Sequence, residues 1–157
     1  MLSQMQRLSV EADGRFATDD ELRFLANYVK SYELRVQTYQ RLQELEDTIL
    51  QQMYDRLKAN DPNFFRKNNV DMTAKCRRDI SYTLRYCAAC LLIDDPDALQ
   101  EHVLLWQQTI VRAFGKQRSN QQIHTVLQEL VKRHLPPQQA GLLLPHLDTC
   151  CRILGGI

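Results

Sequence analysis

The sequence predicts an all-α protein, and three observations carry that expectation. Apolar residues recur at three- and four-residue intervals over long runs, only five Gly and five Pro interrupt them, and no β-branched alternating segment of strand length stands out. At 157 residues the chain is long enough to bury one core without disulfide or metal staples, so one domain over 1–157 is expected.

The elements follow in order. Leu2, Met5 and Leu8 make a narrow apolar stripe on a short first helix that has little core of its own to face and so needs a partner surface. Thr18-Asp-Asp-Glu21 is a capping-box pattern: the threonine hydroxyl satisfies a free helix N–H and the glutamate reaches back. From there Leu22, Leu25, Ala26, Val29, Tyr32, Val36, Tyr39, Leu42 and Leu45 keep a core-facing rhythm, continued by Ile49, Met53 and Leu57, which reads as one or two long helices followed by another. Asn60-Asp-Pro62 breaks the rhythm, and 63–71 reads as a loop before helical spacing resumes at Met72 and runs to about Ile93. Asp95-Pro96 supplies an N-cap followed by proline at the first helical position, and Gly115 stands where a left-handed C-terminal cap is wanted. Ser119-x-x-Gln122 opens a further helix that Pro136-Pro137 ends, and a last one carries Leu142 to Leu154 with a bend expected near Pro145.

The balance of 44% apolar and 25% charged residues belongs to an ordinary folded protein. A formal charge of +1 makes no broad positive field, so nucleic acid is not an expected partner. No stretch approaches the apolar length of a membrane span, and Met1–Val10 lacks the apolar centre and small-residue cleavage site of a signal peptide, so the expected location is the cytoplasm. Five cysteines, an odd number, argue for reduced thiols rather than a disulfide framework. No serine–histidine–acid set, phosphate-cradling glycine loop or metalloprotease helix occurs, and a non-enzyme is expected.

The chemistry concentrates on the helix that resumes at Met72. On a 3.6-residue wheel Cys76, Ile80, Thr83, Leu84, Cys87, Cys90 and Leu91 share one face, with Asp79 and Tyr86 at its edge. Lys75, Arg77 and Arg78 crowd the turn of Cys76 with positive charge, which favours a thiolate there. Composition alone reads Cys76 as a small core thiol and the charges as a solvated rim. Cys87-Ala-Ala-Cys90 has a zinc-like spacing that would need Cys150 and Cys151 brought close, and core packing is the simpler account. His102 and His124 are the histidines that a haem would ask for, although a lone helical histidine is more often packed or solvated.

The order of residues says more. Met72-Thr-Ala-Lys-Cys76-Arg-Arg-Asp79-Ile-Ser-Tyr82-Thr-Leu84-Arg85-Tyr86 resembles the chromophore-bearing helix of the phycobiliproteins, which place Cys, any residue, Arg, Asp, then an aromatic and Leu-Arg at this spacing. Asp95 through Gly115 resembles that family's next helix without a gap; Ala12-Asp-Gly-Arg15-Phe with Glu21-Leu22 resembles its N-terminal helices, and Pro145 to Ile157 its last. The resemblance implies a globin-like helical domain with two projecting N-terminal helices, residues 1–29 forming an extension that pairs with a second copy or a sister chain. It implies a linear tetrapyrrole of the phycocyanobilin kind, thioether-linked to Cys76, with Asp79 accepting hydrogen bonds from the two middle pyrrole N–H groups, Arg78 and Lys75 pairing with the propionates, and Tyr82 packing beside the rings. The implied setting is the phycobilisome, a light-harvesting or light-sensing assembly on the cytoplasmic face of the thylakoid membrane.

The chain departs from the family pattern at two points. Between Pro62 and Cys76 it is about four residues shorter and lacks the glycines of the usual loop. Trp106 stands where a small residue is expected, and an indole there either lines the pocket or fills it. These departures motivate a second reading, a pigment-free relative that acts as a regulatory, assembly or bilin-handling partner of the phycobilisome. A third is haem or another tetrapyrrole held without a thioether.

Overall fold

A computed structural model describes residues 1–156, and the chain forms helices joined by short turns with one two-residue β-ladder. The order is α1 (Leu2–Glu11), α2 (Asp19–Asn60), β1 (Arg66–Lys67), β2 (Val70–Asp71), α3 (Thr73–Ile93), α4 (Pro96–Leu99), a π-helical turn (Gln100–Leu104), α5 (Leu105–Ala113), α6 (Gln117–His134) and α7 (Pro137–Gly155).

The segment read as one or two helices plus another is a single helix of 42 residues, because no Gly or Pro occurs between Asp19 and Asn60 to interrupt it. Its capping box forms as predicted: Glu21 N–H donates to Thr18 Oγ1 at 3.3 Å and Thr18 N–H to Glu21 Oε2 at 2.7 Å. Burial along α2 starts only at Arg35, so its first turns stand clear of the core. On α1 no side chain is buried, and Leu2, Met5, Val10 and, in the following turn, Phe16 (97% exposed) face solvent.

What holds α1 is polar. Asp95 is buried at the start of α4 and accepts from Ser3 N–H (2.7 Å), from the Ser3 hydroxyl (2.8 Å) and, as the N-cap of α4, from Ala98 N–H (3.4 Å). An Asp95→Ala substitution is therefore expected to cost roughly 1–2 kcal/mol and to release α1. Urea unfolding measures the first effect and faster amide exchange over residues 2–11 the second.

Between α2 and α3 the segment read as a loop is a tight hairpin. Asn68 and Asn69 both adopt positive φ (49° and 65°), the combination a two-residue turn of matching twist requires, and Lys67 pairs with Val70 and Arg66 with Asp71. The pattern was too short for a strand period to register. Phe65, buried, stacks on Tyr54 of α2 at 4.7 Å between centroids and anchors the hairpin.

Arg35 clamps α2 to the end of α3. Its guanidinium donates to Leu91 O (2.6 Å) and pairs with Asp94 (2.9 Å), which takes the left-handed conformation (φ 52°) that closes α3. Gly115 (φ 61°) closes α5 in a Schellman arrangement, with Gly115 N–H donating to Arg112 O and Lys116 N–H to Val111 O. The predicted cap at Ser119 does not form. α6 begins at Gln117 without a side-chain cap, because the backbone leaving Gly115 is already helical two residues earlier. α7 runs from Pro137 through Pro145 without interruption, at the cost of the one backbone hydrogen bond that proline cannot donate.

The core lies between the second half of α2, α3, α6 and α7, with Ile49, Met53, Leu91, Leu127, Leu143 and Leu147 fully enclosed. Cys87 and Cys150 meet across α3 and α7 with 3.5 Å between sulfurs, both free thiols, while Cys151 turns away toward Gln121 O. Among the described residues no three His, Cys, Asp or Glu side chains converge in a metal-binding group, and no helix is long and apolar enough to cross a membrane.

A candidate tetrapyrrole cleft on helix α3

The N-terminal half of α3, the hairpin, α5 and the start of α6 enclose a cleft of about 660 Å³. That volume lies within the roughly 300–1,000 Å³ typical of cofactor sites. Lys75, Cys76, Arg78, Asp79 and Tyr82 all line it. They are brought together because residues three, four and seven apart on one helix share a face, and that face is the one α3 turns toward the gap between α5 and the hairpin.

Cys76 is half-buried and packs against the core, while Ile80, Thr83, Leu84, Cys87, Cys90 and Leu91 are buried as the wheel required. The expected stabilisation of a Cys76 thiolate does not hold. Burial pushes the thiol above its ordinary value and Asp79 adds to the push, with Lys116 and Lys75 opposing. The arginines do not offset this: Arg77 pairs with Asp47 of α2 at 3.2 Å, and Arg78 stands in solvent at the cleft mouth, 3.6 Å from Asp79. Asp79 itself is 56% exposed, so its carboxylate stands open at the cleft wall. Tyr82 is half-exposed, its ring 6.2 Å from that of Tyr86.

Trp106 lines the wall of the cleft rather than filling it, with half of its surface exposed. The hairpin supplies Phe64, Phe65, Arg66 and Lys67 to the opposite side, and Lys67 Nζ lies 4.6 Å above the ring of Phe114 at the end of α5. The short segment thus makes a wall without the glycines of a longer loop. Five cations (Arg66, Lys67, Lys75, Arg78, Lys116) line the cleft against one carboxylate, Asp79, so the site favours an anionic ligand with a large apolar body.

Gln107, Lys116 and the hairpin contribute to the cleft without any signal in the sequence, and Thr83, expected only as a core-facing residue, lines it too. The sequence pairs His124 with His102 only as haem candidates, and the structure separates them: His102 is exposed and outside the cleft, whereas His124 is buried and lines it. Burial alone holds the His124 imidazole down to about 4, and its Nδ1 has no hydrogen-bond partner. Its place beside Ile123 and one turn from Leu127 marks it as inward-facing, but what it faces is set by how α6 packs on α7 and α2 and meets α5.

Fold and cleft together define an all-helical scaffold in which one helix presents a thiol, a carboxylate and cations to a pocket of cofactor size. The family model described as phycobilisome protein matches residues 8–154, and the chain belongs to that family, whose all-helical, globin-like fold it shares. It is 30% identical over 115 residues to allophycocyanin alpha chain 2 of Microchaete diplosiphon, covering 69% of this chain and 70% of that one. It is 26% identical over 112 residues to the allophycocyanin alpha chain of Thermosynechococcus vestitus, again covering 69% and 70%.

Proposed function

We propose that this protein carries one linear tetrapyrrole, thioether-linked to Cys76, and works in light harvesting or light sensing within a phycobilisome-type assembly. The observation that carries this reading is that Cys76, Asp79, Arg78, Lys75 and Tyr82 line one cofactor-sized, cation-rich cleft.

Each residue has a part that its position allows. The Cys76 S–H adds across an exocyclic C=C of the ligand, the sulfur bonding one carbon and the hydrogen ending on the other, so no oxidant or reductant is needed. Because burial raises the thiol, the addition needs a base or an attachment enzyme to draw off the proton. Asp79 accepts hydrogen bonds from pyrrole N–H groups and balances their charge; Arg78 and Lys75 pair with propionates at the mouth, and Tyr82 packs on the ring edges. Bound, the group supplies the conjugated system that absorbs visible light. The protein's own contribution is stiffness, since walls from α3, α5 and the hairpin hold the pigment against the twisting that would lose excitation as heat. Residues 1–29, with Leu2, Met5, Val10, Phe16, Leu22 and Val29 in solvent, are the surface for a second copy or a sister chain. A pigment carrier, rather than an enzyme, at the cytoplasmic face of the thylakoid fits these features.

Co-expression with a bilin supply and a bilin-attachment enzyme tests the reading. The expected product is coloured, with an intact mass raised by one bilin and a band that survives denaturation. Colourless protein of unmodified mass that still joins phycobilisome subunits favours the pigment-free relative instead, the reading that the raised Cys76 thiol supports. Colour that acid-acetone removes completely favours a tetrapyrrole without a thioether.

A further inference from the structure

The cleft has two chemically distinct poles. Its rim carries the charges, Lys75, Arg78, Asp79 and Lys116 among them. Its floor carries uncharged polar groups from three helices: Thr83 of α3, Gln107 of α5 and His124 of α6. Two of these are already joined, for Gln107 Nε2 donates to Thr83 Oγ1 at 3.1 Å and the Thr83 hydroxyl donates to Asp79 O at 3.0 Å. His124 is different. It is 3% exposed, lines the same cleft as the apolar Ile80, Ile123 and Leu154, and keeps a buried ring nitrogen with no partner.

An unpartnered polar atom in such surroundings costs about 1–3 kcal/mol, and folded proteins rarely keep one without a use. A purely structural histidine here gains nothing over phenylalanine or leucine, which fill the same space without the loss. Held neutral by burial, the imidazole offers one N–H donor and one lone-pair acceptor, but no charge. That combination suits a neutral amide-like group, with its own C=O and N–H, and not a carboxylate. The two end rings of a linear tetrapyrrole are lactams of this kind. Thr83 lies two helical turns beyond Cys76, roughly 10 Å along α3, and His124 lies roughly 12 Å along α6 from Lys116, whose charge acts on the Cys76 thiol, so both polar groups are well removed from the attachment point.

We propose that His124 reads the uncharged far end of the ligand, its imidazole hydrogen-bonding the lactam of the end ring opposite the one that Cys76 carries. The proposal rests on the tetrapyrrole reading above and adds to it a positioning residue that fixes how deep, and which way round, the ligand lies. Charged propionates stay at the cationic rim, and the lactam goes to the floor.

Titration of the full chain with biliverdin, a linear tetrapyrrole with lactam ends, tests it in wild type, His124→Phe and His124→Gln. The expected result is a 5–10-fold weaker affinity and a displaced absorption band in His124→Phe, the size of one hydrogen bond, with both largely restored in His124→Gln, which keeps an N–H and a carbonyl. On wild-type protein, ¹⁵N spectra of the histidine rings read the same contact without any variant: the His124 resonances shift on binding and those of exposed His102 do not. Biliverdin bound equally by all three proteins with His124 unmoved overturns this proposal and leaves the tetrapyrrole reading standing. No binding by wild type overturns both. Haem binding with an iron–imidazole spectrum lost in His124→Phe also overturns it, in favour of metal coordination.

Discussion

Replacing Cys76 by serine is expected to abolish covalent pigment completely while leaving the fold intact. Completeness follows from where the other thiols are: Cys87, Cys90 and Cys150 are buried in the core, and Cys151 is turned toward Gln121 O, so none of them lines the cleft. Tolerance of the change follows from the half-buried position of Cys76, where a serine hydroxyl still reaches water at the cleft mouth and the cost stays near or below about 1 kcal/mol. Measured as intact mass after co-expression with a bilin supply and attachment enzyme, wild type gains one bilin and Cys76→Ser gains none, with equal helical circular dichroism. Colour in the variant that denaturation removes shows the cleft still holding pigment without the bond. A full adduct in Cys76→Ser sinks the assignment of the attachment point.

The second large effect is on stability against acid. Burial holds the His124 imidazole down from 6.5 to about 4. The folded protein therefore refuses a proton that the unfolded chain accepts below 6.5, so this group's contribution is fully present above that pH and is lost as pH falls toward 4. From pH 7.5 to pH 5 the loss is about 2 kcal/mol, and it reaches about 3 kcal/mol near pH 4. His146, lowered by burial and by Arg35, acts in the same direction. The carboxylates held low by partners, Glu21 by Arg15 and Asp71 by Thr73, titrate further down and leave the window between 6.5 and 4.5 to the histidines. Urea midpoints of wild type and His124→Phe at pH 7.5 and pH 5 measure the effect. Wild type is expected to weaken more steeply, and parallel losses in the two proteins would count against a neutral buried His124.

Much of the architecture was legible because its signals are local. The capping box at Thr18 and Glu21, the N-cap at Asp95 and the glycine at 115 each satisfy backbone groups within a few residues, and all three act as read. Where the reading slipped, the deciding contact was more distant or the signal too short. Asn68-Asn69 closes a hairpin of two-residue strands, too short for periodicity, and its position depends on Phe65 meeting Tyr54. Ser119 resembles a cap in isolation, but the helix is already under way at Gln117.

The α3 site divides in the same manner. Helical spacing alone put Cys76 and Thr83 on one face with Asp79 at its edge, and the order of the residues around them pointed to a tetrapyrrole. The charge environment of the thiol was misread, because proximity along a helix says which side chains could approach and not which way they turn. Arg77 is drawn off by Asp47, and burial, invisible in a linear string, outweighs the lysines that remain. The helices, most of their ends and the face that bears the candidate attachment residue are written in the linear order of residues, since these depend on neighbours within one or two turns. Packing alone settled that Trp106 lines a cleft instead of filling it, that the short hairpin still makes a wall, and that a buried His124 on α6 joins the lining of the same cleft. Each of these depends on residues brought close by packing from more than twenty positions away, and packing is where burial, and with it the cost of an unpaired charge or nitrogen, is set.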